Sequence, residues 1–134
     1  MSAIIHVAWA NSRQTAILVT YTTVGWTWAD VKASTKQTYD LIETVPHLVD
    51  IVVDVQKSNW LPSGSLVGLA KHMSSNRHSR QRYTVIVGAR GFWAELVNGL
   101  WKLSRGYPRD VHFADTMGDA IRLLEKQVAQ PARR

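Results

Sequence analysis

The stretch Leu48-Val49-Asp50-Ile51-Val52-Val53-Asp54-Val55 constrains the fold more than any other part of the chain. It is a nearly continuous apolar run bounded by a polar loop, the pattern of a strand covered on both faces. A strand covered twice belongs to a sheet with helices on both sides, so an α/β architecture is expected.

The flanking segments agree. Ala3 to Trp9 reads as a strand, Asn11-Ser12 supplies turn chemistry, and Thr15 to Thr23 is rich in β-branched residues, which together predict an antiparallel hairpin. Gly25 ends it. From Trp28 the apolar positions fall at helical spacing up to Ile42, with Thr27 as N-cap, Asp30 as its capping-box partner and Pro46 as the stop. After the apolar strand, Leu66, Leu69, Ala70 and Met73 predict a short helix, and Ser74 to Gln81 a polar, basic loop. Tyr83 to Val87 predicts a second buried strand ended by Gly88. Phe92 to Leu103 is helical, Val111 to Ala114 a short strand, and Thr116 caps a last helix, again with Asp119 three residues on. Met117, Ala120, Ile121, Leu124 and Val128 form its expected inner face. The order is ββαβαβαβα, an open and mostly parallel sheet with one antiparallel edge strand.

At 134 residues the chain is one domain's worth, taken as residues 1–128 followed by a basic tail at 129–134. Cysteine is absent, which excludes disulfides, thiol catalysis and cysteine-ligated metal. The five histidines (6, 47, 72, 78 and 112) show no metal-ligand spacing, and no cofactor motif is present. No stretch approaches the roughly 18–20 apolar residues of a membrane helix. The opening residues lack the pattern of a signal peptide, so the expected location is the cytoplasm.

The formal charge of +6 is uneven. Residues 1–70 carry four basic and five acidic side chains, whereas residues 71–134 carry twelve and five. Arg77, Arg80 and Arg82 crowd one stretch with few aromatics among them, which argues against a base-stacking nucleic-acid surface. A solvated loop is the default reading there, and an acidic protein partner the functional one.

The segment order, the apolar strand ending in Asp54, the polar loop after it and the run Trp60-Leu61-Pro62-Ser63-Gly64-Ser65-Leu66 resemble the STAS domain of anti-sigma-factor antagonists. The early Gly25-Trp26-Thr27-Trp28 and the late Ala114-Asp115-Thr116 are similar to its Sec14-like relatives. The resemblance spans about residues 3–128. It implies a regulatory, non-enzymatic protein-binding module whose partner choice is switched by phosphorylation of a serine at the start of the second helix. Aligned on that motif, Gly64 takes the usual phosphosite and Pro62 the place of its Asp; Ser63 and Ser65 flank the position.

Within this frame, Asp54, Ser58, Ser63 and Arg90 form a candidate partner or anion surface, because ligand crevices lie at the carboxyl ends of parallel strands. Asp54 also has a simpler role, bonding its own loop, and Ser65 can serve as a helix cap. Arg90 sits in Gly88-Ala89-Arg90-Gly91, which is not a dinucleotide fingerprint. The helix from Phe92 has apolar residues over an arc of about 180°, more than the roughly 100° a sheet-covering helix uses. Its surplus stripe, Trp93, Val97 and Trp101, with Trp26 from the first helix start, predicts an apolar ligand face or a homodimer contact. A small carrier or sensor for a lipid or other apolar ligand is therefore the alternative to the protein-binding reading. An enzyme ranks third, since no base–nucleophile pair assembles from the sequence.

Overall fold

The computed structural model describes residues 5–21, 25–57, 78–88 and 111–129. Five strands form one sheet in the order β1-β2-β3-β4-β5: Ile5–Trp9, Ala16–Tyr21, Val49–Asp54, Gln81–Val87 and Val111–Ala114. β1 pairs antiparallel with β2, and every other pairing is parallel. Two helices lie among the described residues, α1 (Trp28–Glu43) and α2 (Met117–Ala129). The chain is thus an α/β domain with a mixed sheet and its antiparallel strand at one edge. The helices expected at 66–73 and 92–103 lie outside the described residues.

The hairpin is shaped by its turn. Asn11 Oδ1 accepts the Thr15 N–H at 3.0 Å, and Asn11 Nδ2 donates to Thr15 Oγ1 at 2.8 Å, so one side chain braces the turn beside the backbone bond from the Gln14 N–H to the Asn11 carbonyl at 3.3 Å. Thr27 and Asp30 close the capping box that the sequence predicts. The Asp30 N–H donates to Thr27 Oγ1 at 3.3 Å and the Thr27 N–H to Asp30 Oδ2 at 2.8 Å. Thr116 Oγ1 likewise accepts the Asp119 N–H at 3.1 Å at the start of α2.

β3 separates two cores. Val49, Ile51 and Val55 join Ile5, Ile17, Val19, Trp26, Val31, Ile42 and Val45 on the α1 side. Val52 joins Val85, Val87, Ala120 and Leu124 on the α2 side. The near-continuous apolar run is explained by this two-sided burial. α1 turns a narrow stripe of Val31, Ser34, Thr38 and Ile42 inward. The two buried hydroxyls are satisfied within the helix, Ser34 donating to the Val31 carbonyl and Thr38 to the Ser34 carbonyl, each at 2.8 Å.

The structure corrects two assignments. Gln81 and Arg82 belong to β4 rather than to the preceding loop. Ile121, expected on the inner face of α2, is half exposed, while Ala120 and Leu124 are buried and Leu123 packs beside them. The helix is rotated so that Leu123 rather than Ile121 flanks its buried stripe.

Candidate functional site: a groove over the amino-terminal halves of the central strands

The register of β3 against β4 slips by one residue. Val49 pairs with Gln81, yet Ile51 pairs with Thr84, so β4 holds one extra residue between them. Such an insertion re-aims side chains that strict alternation would send to opposite faces. It brings Arg82 to Asp50: Arg82 Nε and Nη2 donate to Asp50 Oδ1 and Oδ2 at 2.9 and 2.7 Å, and the Tyr83 N–H donates to Oδ1 at 3.1 Å. Asp50 is 3% exposed. A carboxylate so deep is tolerable only when donors occupy it, and a bidentate guanidinium does so with fixed geometry. Asp50 holds the Arg82 guanidinium above its already high ordinary pKa, chiefly through the hydrogen bond. The guanidinium also lies 5.1 Å from the centre of the Tyr83 ring.

Asp50 and Arg82 line a groove of about 990 Å³ on the α2 side of the sheet. Ala16, Leu18 and Val52 supply apolar sheet surface, and Met117, Ile121, Leu124 and Glu125 come from α2. The β1–β2 turn contributes Ala10 to Arg13 and Thr15, and His47 and Leu48 complete the lining. Leu48 and Ile121 are 52% and 50% exposed, large apolar side chains facing the same space. A smaller hollow of about 270 Å³ lies where β5 meets α2, lined by Phe113, Ala114, Asp115, Asp119 and Leu123.

A second polar cluster joins the end of α1 to the start of β4. Arg80 Nη2 donates to the Ile42 carbonyl at 3.2 Å and to Glu43 Oε2 at 3.0 Å. The Arg80 N–H donates to His78 Nδ1 at 3.0 Å, so Nε2 carries the ring hydrogen of neutral His78 and donates to the same Glu43 oxygen at 3.1 Å. The last turn of α1 holds no basic residue of its own, and Arg80 brings positive charge to it from outside. Glu43 is held below the ordinary carboxylate pKa by the His78 hydrogen bond first and by the Arg80 charge beside it.

The predicted site residues are dispersed by these facts. Arg80 and Arg82 are engaged by Glu43 and Asp50 within the fold. Trp26 is 1% exposed, set edge-on between Tyr21 at 5.0 Å and Trp28 at 5.9 Å, and belongs to the α1-side core rather than to an exposed apolar face. Asp54 Oδ1 accepts from the Gln56 N–H at 2.9 Å and from Gln56 Nε2 at 3.1 Å, the loop-bonding role open to it. Ser58, Ser63, Ser65, Arg77, Arg90, Trp93, Val97 and Trp101 lie outside the described residues.

The sequence sets Asp50 beside Asp54 as a same-side carboxylate pair roughly 13 Å apart, too far to cooperate, and offers neither its tie to Arg82 nor a groove lined by Leu48 and Ile121. A signal for Asp50 existed: a carboxylate inside an apolar strand needs a partner, and the next strand begins beside Arg80 and Arg82. Among the described residues, no three His, Asp or Glu side chains gather as a metal site, and no helix is long and apolar enough to cross a membrane. In comparisons with known proteins, no family model and no curated protein matches the chain.

Proposed function

We propose that this domain is a non-catalytic binding module and that the groove between α2 and the hairpin turn holds an apolar or amphipathic ligand. The observation that carries the reading is the groove itself. Sites that take a small molecule run to roughly 300–1,000 Å³, mostly apolar with a few fixed polar groups. Here Leu18, Val52, Met117, Ile121 and Leu124 supply the apolar lining, and Asp50 and Arg82 the fixed polar pair. Both oxygens of Asp50 are taken by donors, which suits an anchor of the lining better than a proton-transfer group. This is the carrier or sensor alternative raised by the sequence, placed on a different helix from the one that suggested it.

A protein partner is the second reading, favoured by the half-exposed Leu48 and Ile121, which offer paired apolar contacts to an amphipathic helix. STAS-like regulation through Ser63 or Ser65 remains part of the proposal on the strength of the resemblance alone.

Calorimetric titration with dodecanoate separates the first two readings. The unmodified chain is expected to bind it saturably, and Leu48→Asp with Ile121→Asp to weaken binding about tenfold or more by placing charge against the alkyl chain. Both positions are half exposed, so folding should survive the changes. No saturable binding by the unmodified chain, or equal binding by the double variant, overturns the apolar-ligand reading.

A further inference from the structure

We propose that the outer edge of β1 docks a second copy of this chain, joining the two sheets through an antiparallel β1–β1 pair centred on Val7.

The hydrogen-bond phase of the hairpin settles which backbone groups face outward. The Ala10 N–H donates to the Ala16 carbonyl at 2.8 Å, so Ala10 and Ala16 are a hydrogen-bonded pair. Such pairs alternate along an antiparallel ladder. Ala8 with Leu18 and His6 with Thr20 are therefore bonded across the ladder, while Ile5, Val7 and Trp9 sit opposite Tyr21, Val19 and Ile17 in the unbonded positions. The N–H and C=O groups of Ile5, Val7 and Trp9 point away from β2. Among the described residues no strand pairs with that side.

Among the described residues this edge lacks the usual protections. Strands left at a sheet edge are commonly guarded by lysine, proline, a bulge or short length. β1 is Ile-His-Val-Ala-Trp, with no lysine or proline, and its pairing to β2 runs in unbroken register over five residues. The opposite edge, β5, has four residues.

The strand also matches itself. With Val7 opposite Val7 of the second copy, Ile5 falls opposite Trp9 and His6 opposite Ala8. Every outward N–H and C=O of Ile5, Val7 and Trp9 then meets an outward group, which closes six backbone hydrogen bonds. Ile5, Val7 and Trp9 share the α1 side of the sheet, where Val7 and Trp9 are only partly buried, so an apolar ladder forms on one face. No acidic or basic residue other than His6 enters the pairing, and its neighbour is Ala8. A second copy is therefore the occupant that fits without like charges meeting. A two-fold axis through Val7 places both α1 helices on the same side of a ten-stranded sheet. The groove lies on the other side and is left open.

Two measurements test this. Sedimentation equilibrium of the full chain is expected to show a reversible dimer. Val7→Pro removes one outward N–H per copy without removing a β1–β2 hydrogen bond, and should raise the dimer dissociation constant about tenfold or more. Residue-resolved amide exchange on the unmodified chain avoids dependence on that variant folding. The Val7 and Trp9 amides should become protected as concentration rises, whereas His6 and Ala8, bonded to β2, should change little. A monomer at every concentration, a dimer unaffected by Val7→Pro, or Val7 and Trp9 amides that exchange freely within a dimer would overturn the proposal.

Discussion

Asp50 fixes β3 to β4 because three donors converge on it from one strand. Asp50→Ala removes the acceptor shared by the partly buried Arg82 guanidinium and the Tyr83 N–H. Breaking a fully buried pair from one side costs about 3–5 kcal/mol, and this part-buried pair is expected to lose less. The double change Asp50→Leu with Arg82→Met should cost clearly less than Asp50→Ala, since it removes both charges together. Urea denaturation of the three proteins checks this, and equal losses would mean that the pair contributes no coupling. Gly88 is the other position with little tolerance. Its φ of +80° favours glycine, and an added Cβ would run into Gln56 Cγ and stand 2.9 Å from Gln56 Cα. Gly88→Ala is expected to lower stability by about 2–3 kcal/mol, the sum of backbone strain and a forced shift of the 54–57 turn. Thermal unfolding would read this as a lowered Tm.

At the scale of elements, local rules carried the reading a long way. Alternation and apolar runs locate the five strands among the described residues, and the Thr27–Asp30 and Thr116–Asp119 spacings locate the starts of the two helices described. Those signals are local and leave a trace in a few consecutive residues. The slip between β3 and β4 leaves none, since it depends on how two distant strands settle. Local patterning accordingly puts Arg82 in the basic loop and carries no sign of its tie to Asp50. The Glu43–Arg80–His78 cluster is non-local in the same way, fastening the end of α1 to the start of β4. Its acid response follows from the lowered Glu43 pKa. The stabilisation is present above the ordinary carboxylate value of 4.5 and is lost as pH falls through the lower folded value. Glu43→Gln should therefore be less stable than the unmodified chain at neutral pH, with the gap closing in acid. Paired denaturation curves across that range test it; a gap constant with pH would show that ionisation of Glu43 is not what holds α1 to β4.

Among the described residues the two faces of the sheet are covered unequally. α1 covers the antiparallel edge on one side, and α2 covers β4 and β5 on the other, which leaves Leu18 and Val52 at the bottom of a groove between α2 and the hairpin turn. That asymmetry was not legible in the sequence. Apolar periodicity says that Ile121 belongs to a helix face, but only the placement of α2 decides that it lines a groove instead of filling the core. The carboxyl ends of the strands, where the sequence pointed, hold Asp54 bonded to its own turn and Gly88 against Gln56. The most direct measurement of the central claim is amide chemical-shift mapping during titration with dodecanoate. Saturable shifts are expected on Ala10 to Thr15, His47, Leu48 and Met117 to Glu125, with little change along β1. Shifts grouped elsewhere on the domain, or none at saturating dodecanoate, would contradict it.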